Sequence, residues 1–500
     1  MRNIFIIIVM SIIVSGCGHS LSKADLSDAN IEKVIAAGNF TEAEKLIKMK
    51  IATEELTPAQ VWDLNFKIEV MDRIRQDFSR DDSTVFAQLQ KYYPEVTREQ
   101  MAKWEEKLIL ESMTIDGEKR YFRNSARNVF RIDEEAEALY NKTHPYSPDP
   151  LDTFVDESVT KVLKSARKTG KSIVEPEKLK IRYSISVKPD EVPAGEMVRV
   201  WMPYLRNEDI YKNIKLVATS QPDYIISPEQ YAHRSIYMEK VAEAGKRTEF
   251  WYEMTFTTHH KFHDFEPQDV KPYDTQSELY KTYTAERAPH IVFSDRIKNI
   301  TDSLVKGETN PYLKSVRIFD WICDHFPWAS AREYSTLDNI PEYVITNDHG
   351  DCGQVALLFI TMARYAGIPA KWESGWMLHP MEINLHDWVR VYYEGVGWVG
   401  VDPSFGRVIL KDELEHNAPR GRVITSADKS RLDSDYFYYY THGMDAWRFI
   451  VNTDYSQPLY PAKTYPRSET VDFQRGEVEW RGGNLYFGRW NYDMELEIIL

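Results

Sequence analysis

The first third of the chain shows the hydrophobic spacing of amphipathic helices. Apolar residues recur at three- and four-residue intervals through residues 31–50, 56–78 and 97–113. This spacing is the period of one helix face. The pattern predicts a helical accessory domain over residues 20–172.

The hydrophobic period changes to two between residues 178 and 260. KLKIRYSISV and EFWYEMTFTTHH alternate apolar and polar positions, MVRVWMPY lies between them, and Pro and Gly separate the runs. Alternation is the period of a half-buried strand. These runs predict antiparallel strands of a β-sandwich-like module over residues 175–275.

From about residue 280, helical and strand patterns are mixed. SVRIFDWICDHF and CGQVALLFITMARY have helical spacing, and the second run stops at Ala-Gly-Ile-Pro. Short strands follow in AKWESGW, HDWVRVYY and GWVGVD, and residues 420–500 form an aromatic-rich tail with strand-like pieces such as EVEW and NLYFGRW. We expect an α+β fold, with a core over 280–415 in which a helix packs on antiparallel strands, and a β tail that packs on this core.

The N-terminus has the pattern of an export signal. Arg2 precedes an apolar run over residues 4–14, too short for a stable membrane span, and Ser-Gly-Cys follows at residues 15–17. This resembles the lipobox of bacterial lipoproteins, which implies cleavage over residues 1–17 and lipidation of Cys17. An ordinary cleaved signal, with Cys17 incidental, is the alternative. By the same resemblance Gly18 implies the outer membrane, with the periplasmic or the outer side left open.

Composition narrows the class of partner. The 500 residues suggest about three domains, and 43% hydrophobic with 28% charged residues is typical of folded chains. A net charge of −15 argues against a nucleic-acid partner, which needs a basic face. Lipidation would make the bilayer a partner through the N-terminal anchor.

The chain has three cysteines, and export would place them where disulfides persist. If Cys17 carries lipid, Cys323 and Cys352 remain. They could pair with each other, or one could be structural and the other reactive. We expect Cys323 to be a buried structural thiol in its amphipathic helix.

Cys352 follows Asp351, a good N-cap residue, at the mouth of a helix. A thiol in the first turn faces the positive end of the helix dipole and free amides, which lower its pKa and can receive an oxyanion. Gly350 and Gly353 leave room beside the sulfur for a substrate. The pattern is typical of a nucleophile, although a small buried cysteine would also fit it.

A thiol nucleophile needs a base and a group that orients the base. His386 and Trp388 share one face of a strand, Asp402 shares the same side of the next, and the alternate valines form an apolar face. A symmetric hairpin would set His386 opposite residue 405, about 10 Å from Asp402 along the strand. We expect a bulge or an asymmetric turn to close this distance.

Three blocks together resemble the transglutaminase-like superfamily of cysteine enzymes. They are Gly-x-Cys opening a helix that ends in Gly-Ile-Pro-Ala, then His-x-Trp-x-x-Val, then Gly-Trp-x-x-x-Asp-Pro, in that order within residues 280–410. The resemblance implies a papain-like fold with Cys352 as nucleophile, His386 as general base and acid, and Asp402 as orienter of the imidazole. It also implies a thioester acyl-enzyme and no cofactor.

Further residues are candidates for the rest of the site. Trp328 and Gln354 are candidate oxyanion donors beside the Cys352 amide, with Tyr334 competing. The remaining candidates for the substrate cleft are Trp388, His349 and Trp376, and His379 lies near the same region in sequence.

No metal site is expected. The histidines of TTHHKFHD, His259, His260 and His263, lack further ligands nearby and are best interpreted as an exposed strand end. No acidic calcium loop or phosphate-binding glycine motif occurs in the sequence.

The sequence therefore favours an exported, lipid-anchored thiol hydrolase of the bacterial envelope that cleaves amide bonds. Its substrate would be a protein, a peptide, or a cell-wall or glycopeptide fragment. Protein-glutamine acyl transfer is one alternative, and a non-catalytic envelope scaffold or binding protein is another. The oligomeric state stays open.

Overall fold

The structure is a computed structural model that describes residues 24–144, 150–406 and 435–499. The predicted signal sequence and Cys17 lie outside the described residues, as does the start of the tail. None of the described helices is long and apolar enough to cross a membrane.

Fourteen described helices are numbered in chain order. They are α1 Asp28–Ala36, α2 Phe40–Thr53, α3 Pro58–Asp77, α4 Asp82–Tyr92, α5 Arg98–Glu106, α6 Ser125–Ile132, α7 Glu134–Thr143, α8 Pro150–Thr169, α9 Glu278–Tyr283, α10 Asp295–Leu304, α11 Pro311–His325, α12 Ile340–Asn347, α13 Cys352–Tyr365 and α14 Asp435–His442. Short 3-10 turns occur at Pro267–Asp269 and Tyr334–Thr336.

Sixteen described strands are numbered in chain order. They are β1 Ser112–Ile115, β2 Glu118–Tyr121, β3 Ile173–Val187, β4 Met197–Pro203, β5 Lys212–Thr219, β6 Ile225–Ile226, β7 Ser235–Val241, β8 Thr248–Phe262, β9 Ala370–His379, β10 Glu382–Tyr393, β11 Gly397–Val401, β12 Gly443–Met444, β13 Arg448–Asn452, β14 Glu477–Trp480, β15 Gly483–Asn484 and β16 Trp490–Ile498. Helices and mostly antiparallel sheets together make an α+β fold, as the sequence predicts.

Contacts divide the chain into two compact units. The smaller contains residues 24–76 and 113–120, and the larger contains residues 77–112 and 121–499. In the smaller unit α1 and α2 bury one apolar face each, and Gly38 adopts φ 74° where a Cβ would lie 2.1 Å from the Thr114 carbonyl.

Two five-stranded sheets form the β module of the larger unit. One has the order β12-β8-β3-β16 with β5 also on β8, and the other has the order β15-β14-β4-β7-β6. The alternating runs predicted at 178–187 and 249–260 are the long strands β3 and β8, which pair from Val187↔Thr248 onwards. Their inward residues pack into a common core with β4 and β7.

The C-terminal tail is not a separate β element. Its strands β14 and β16 complete the two sheets of the β module, by pairing with β4 and β3. Strand β13 pairs with β9, and residues 435–442 form the helix α14. EVEW is a strand as predicted, whereas NLYFGRW contains only a two-residue strand before a turn.

The sheet that carries the candidate site has the order β11-β10-β9-β13. The alternate valines of β10 and β11 pack with α13 in one core, as the alternation predicts. The opposite face is also buried, since Trp388 and Phe449 belong to the core of the β module. Helix α13 is followed by Gly367, which adopts φ 79° and allows the chain to turn back into β9.

Candidate active site

Cys352 is the first residue of α13. Asp351 caps the helix, because its Oδ1 accepts the Gln354 N–H at 3.1 Å and the Gln354 Oε1 accepts the Asp351 N–H at 3.3 Å. This reciprocal pair satisfies one amide of the first turn and fixes where the helix begins. The cap sets Cys352 at the helix mouth, half-buried and with a free thiol.

His386 and Asp402 are joined by a hydrogen bond of 2.8 Å between Nε2 and Oδ2. The β10–β11 register has no shift and pairs Val389 with Val401, so continuing it sets Asp402 opposite Trp388. His386 is then the diagonal neighbour of Asp402, at about 7–8 Å between the backbones, which two side chains can bridge. The expected bulge is therefore wrong, because the diagonal distance needs none.

Several donors hold the Asp402 carboxylate. Its Oδ1 accepts the Ser404 and Phe405 amides at 3.0 and 3.1 Å, and its Oδ2 accepts Arg448 Nη1 at 2.7 Å. Burial would raise the pKa of Asp402, but the charges of His386 and Arg448 outweigh it and lower the pKa below its usual range. Asp402 is thus ionised and accepts only, so His386 Nε2 carries the proton of their hydrogen bond.

Cys352 and His386 line one cavity of about 610 Å³. Helix α13 contributes the thiol from one side, β10 contributes the imidazole, and the loop 468–475 contributes a third wall. Asp402 lies behind the imidazole, fully buried. The structure brings the three predicted residues to one region, with the two side chains that would meet substrate on the cavity wall.

The environment of Cys352 raises the thiol pKa, whereas the sequence predicted that the helix mouth would lower it. Burial raises the pKa of the Cys352 thiol well above its ordinary value, and the charges of Asp387 and Asp351 raise it further. The Cys352 Sγ lies 3.6 Å from Asp387 Oδ2. Burial first, and then these carboxyl groups, raise the thiol pKa in spite of the helix mouth, so Cys352 is a protonated thiol at neutral pH.

His386 is shifted in the opposite direction. Burial lowers the pKa of His386 below 6.5; Asp402 raises it and Arg448 lowers it again. At neutral pH the imidazole is therefore neutral. The resting site is a neutral thiol and a neutral imidazole with an open Nδ1, which suits general-base catalysis.

Gly353 allows Tyr334 and Asp387 to approach the helix mouth. A Cβ built on Gly353 would lie 2.2 Å from Tyr334 Oη and 2.7 Å from Asp387 Oδ2. Tyr334 Oη donates to Asp351 Oδ1 at 2.6 Å. Because Gly353 has no side chain, Tyr334 and Asp387 can both lie close to the first turn of the helix.

We expect Gly353→Ala to destabilise the protein, although alanine is the better helix former by about 1 kcal/mol. Overpacking costs about 1–3 kcal/mol, and the new methyl meets two buried polar groups. Urea unfolding measures the change, and adding Tyr334→Phe, which removes the nearer oxygen, should recover part of it. A stabilised Gly353→Ala protein would contradict this packing.

The oxyanion candidates separate in the structure. Gln354 is fully buried, pairs with Asp351 and is not among the residues that line the cavity, so its role as an oxyanion donor stays a prediction. Tyr334 lines the cavity, but its hydroxyl donates to Asp351. Trp328 lines the cavity with 49% of its surface exposed and remains the side-chain candidate.

The remaining predicted cleft residues are in the core. Trp388 donates to Glu373 Oε2 at 2.7 Å, and Trp376 donates to the Gln474 carbonyl at 2.8 Å, both with buried rings. His349 and His379 are buried too. None of these four side chains lines the cavity. Trp376, His379 and Trp388 belong to β9 and β10, which are covered on both faces, and His349 is buried in the loop before α13.

Other sequence candidates have structural roles. Cys323 is buried and donates its thiol to the Pro403 carbonyl at 3.2 Å, and it is not bonded to Cys352. His260 is buried rather than at an exposed strand end, and burial lowers its pKa to about 4. Across residues 24–144, 150–406 and 435–499 no cluster of three His, Cys, Asp or Glu is arranged to hold a metal ion.

Sequence reasoning missed three residues of the site. Gln474 Nε2 donates to Asp387 Oδ1 at 2.7 Å and to the His386 carbonyl at 2.8 Å, and Arg448 binds Asp402. Asp387 could have been noticed as the acid between His386 and Trp388. Arg448 and Gln474 lie in the tail, where no spacing relates them to the site.

Residues 298–403 match the model of the transglutaminase-like superfamily. The chain is also similar to the uncharacterized protein YebA of Bacillus subtilis, 24% identical over 158 residues, which are 26% of this chain and 21% of YebA. An uncharacterized protein of Haemophilus influenzae is 25% identical over 252 residues, 43% of this chain and 66% of that protein. The chain thus spans less than two thirds of either relative.

Two solved structures are similar at low identity. A proposed cysteine protease from Cytophaga hutchinsonii has a TM-score of 0.41 and 14% identity, over 65% of this chain and 92% of that one. The periplasmic domain of TgpA from Pseudomonas aeruginosa has a TM-score of 0.26 and 13% identity, over 48% of this chain and 92% of that one. At TM-scores below 0.5 neither structure establishes how this chain's site is arranged.

Proposed function

We propose that this chain, whose residues 298–403 belong to the transglutaminase-like superfamily, is a cysteine hydrolase that cleaves amide bonds. Cys352 is the nucleophile, His386 the general base and acid, and Asp402 the group that orients the imidazole. The observation that carries the proposal is the 2.8 Å bond from His386 to a buried, ionised Asp402, at the wall of the cavity that Cys352 also lines.

The proton positions decide the first step. Asp402 holds the proton of His386 on Nε2, which leaves the Nδ1 lone pair as the base. Cys352 Sγ attacks the substrate carbonyl while its proton passes to Nδ1, and the imidazolium that forms is stabilised by Asp402. The proton then goes to the leaving amine, and a thioester remains on Cys352.

The second step reverses these roles. Water gives a proton to His386 Nδ1 as its oxygen attacks the thioester, the Sγ–carbon bond breaks, and the thiol takes the proton back. The Cys352 amide at the helix mouth is the proposed donor to the oxyanion, and the Trp328 indole is a second candidate from the exposed wall.

The N-terminal sequence supports a location for this activity. A lipid on Cys17 would anchor the protein to a membrane of the bacterial envelope, at the outer membrane by the lipobox resemblance. Protein, peptide and cell-wall or glycopeptide fragments are the amide substrates within reach there. This part of the proposal rests on residues 1–18 alone.

The test uses p-nitrophenyl acetate, which needs no knowledge of the natural substrate. We expect a burst of p-nitrophenolate that equals the enzyme in amount, and an acetyl group on the Cys352 peptide by mass spectrometry. Cys323→Ser serves as the matched control and should keep the burst. No acetyl group on Cys352 would overturn the proposal, and diversion of the acetyl group to added methylamine rather than water would favour acyl transfer.

A further inference from the structure

The cavity is acidic around the thiol. Six carboxyl groups line it, against three arginines, and among the described residues four of the six take part in no ion pair: Asp351, Glu382, Asp387 and Asp472. Arg475 is already neutralised, because it binds Glu333 through both terminal nitrogens at 3.1 and 3.0 Å and Glu469 through Nε at 2.7 Å. The Arg475 guanidinium therefore has no free terminal nitrogen pair to offer an anionic substrate.

Asp472 is a buried acid on the cavity wall and is 7% exposed. Burial, with the charge of Glu469, raises the pKa of its carboxyl group well above the usual range, although the charges of Arg475 and Arg467 lower it in part. In the described part of the chain no hydrogen-bond donor and no ion pair engages its carboxyl group; only its backbone carbonyl accepts a bond, from Arg467. A buried carboxylate normally has donors, so its free oxygens indicate a place for a donor that comes from outside the protein.

Asp387 is the second acid of this wall, and it contacts the thiol. Its Oδ1 accepts Gln474 Nε2, while its Oδ2 faces Cys352 Sγ at 3.6 Å and has no stronger donor. The charged groups with the largest effect on it are the acids Asp472, Asp351 and Glu469. Burial and the charge of Asp472 raise the pKa of Asp387 well above its usual range.

We propose that Asp387 and Asp472 bind a protonated primary amine of the substrate beside the Cys352 thiol. This inference rests on the proposed function and names its substrate class: acyl donors with an α-ammonium group or a cationic side chain next to the scissile amide. The ammonium brings three N–H donors to carboxyl oxygens that lack donors. It also brings a positive charge, which stabilises two neighbouring carboxyl groups that repel each other.

The bound amine is not the attacking group of an acyl transfer. An ammonium held by carboxylates has no lone pair, so it stays protonated and serves recognition. Its second effect is on the thiol. A cation beside Asp387 and Cys352 offsets the negative field that opposes ionisation, so the correct substrate eases removal of the thiol proton by His386.

The test compares three methanethiosulfonate reagents that differ only in the charge of the group they carry: 2-aminoethyl, 2-hydroxyethyl and 2-sulfonatoethyl. In each reaction Sγ attacks the reagent's divalent sulfur, a mixed disulfide forms and methanesulfinate leaves. The full-length Cys323→Ser protein confines labelling to Cys352. Rates at pH 7 and low salt are normalised to those of 2-mercaptoethanol.

We expect the cationic reagent to react with Cys352 at least about 10-fold faster than the neutral one, since an ion pair near 4 Å at intermediate dielectric supplies more than this factor. The preference should fall to about 2-fold or less in Asp472→Asn and in Asp387→Asn. Asp295→Asn, at a carboxyl that is 98% exposed, is the matched control and should keep it. Equal rates in wild type, or a preference that survives both site variants, would overturn the inference.

A second measurement tests the inference without a substitution at Asp387 or Asp472, in case those variants fail to fold. In the Cys323→Ser protein, with Asp387 and Asp472 unchanged, methylammonium chloride should slow the reaction of the cationic reagent with Cys352. Sodium chloride at equal ionic strength should slow it less, because only methylammonium occupies the proposed amine site. Equal slowing by the two salts would overturn the inference. A burst with p-nitrophenyl acetate and no charge preference would leave the proposed hydrolase standing, whereas a charge preference without a burst would remove the hydrolase alone.

Discussion

Cys352→Ala should abolish the p-nitrophenolate burst, and His386→Ala should slow acetylation of Cys352 about 10²–10⁴-fold. The nucleophile has no substitute, because Cys323 is buried and bonded to the Pro403 carbonyl. Without His386 the thiol must lose its proton to water from an environment that raises its pKa. Stopped-flow absorbance at pH 7 measures the burst, and mass spectrometry locates the acetyl group.

The pH dependence of the acetylation rate is a second test of this prediction. In wild type the rate should fall with acid only below pH 6.5, since burial lowers the pKa of His386 and the neutral imidazole is the active form. The His386→Ala rate should instead rise with hydroxide across the range. Unfolding by urea is the control for both variants: a loss of stability above about 3 kcal/mol, in a protein whose wild type gives no burst, would favour the scaffold interpretation.

Arg448→Met should destabilise the protein by about 3–5 kcal/mol, the cost of breaking a buried ion pair by removing one partner. Arg448 is fully buried; it binds Asp402 through Nη1 at 2.7 Å, and Asp445 through Nε at 3.0 Å and Nη2 at 2.8 Å. The variant leaves two buried carboxylates without their cation. Urea unfolding measures the loss, and a change below about 1 kcal/mol would contradict a structural role for the pair.

The same variant should change the chemistry in a defined direction. Arg448 lowers the pKa of His386, so removing its charge raises that pKa and moves the acid limb of the acetylation profile to higher pH. Arg448→Lys keeps a charge near Asp402 and should keep the limb close to the wild-type position. An unmoved limb in a folded Arg448→Met protein would show that Arg448 does not tune the imidazole.

Local patterns in the sequence predicted much of the site. The residues that decide a helix mouth are adjacent: Asp351 caps the helix and Cys352 is its first residue. The alternation of β10 and β11 set His386 and Asp402 on one side, and only the expected bulge was wrong. Sequence spacing did not show, however, which of these side chains are buried. The predicted cleft residues Trp376 and Trp388 lie in the core, because both faces of this sheet are covered.

What the sequence by itself determined is whatever rests on near neighbours: the period of each element, its caps, and the three blocks that resemble the transglutaminase-like superfamily. Only the tertiary structure decided which distant segments meet. Arg448 reaches Asp402 across 46 residues, and Gln474 reaches Asp387 across 87. It also decided the protonation of Cys352, because a thiol's pKa depends on burial and on charges that folding brings close. Burial, and after it the carboxyl group at 3.6 Å, raise the pKa of Cys352, although the residue stands at a helix mouth.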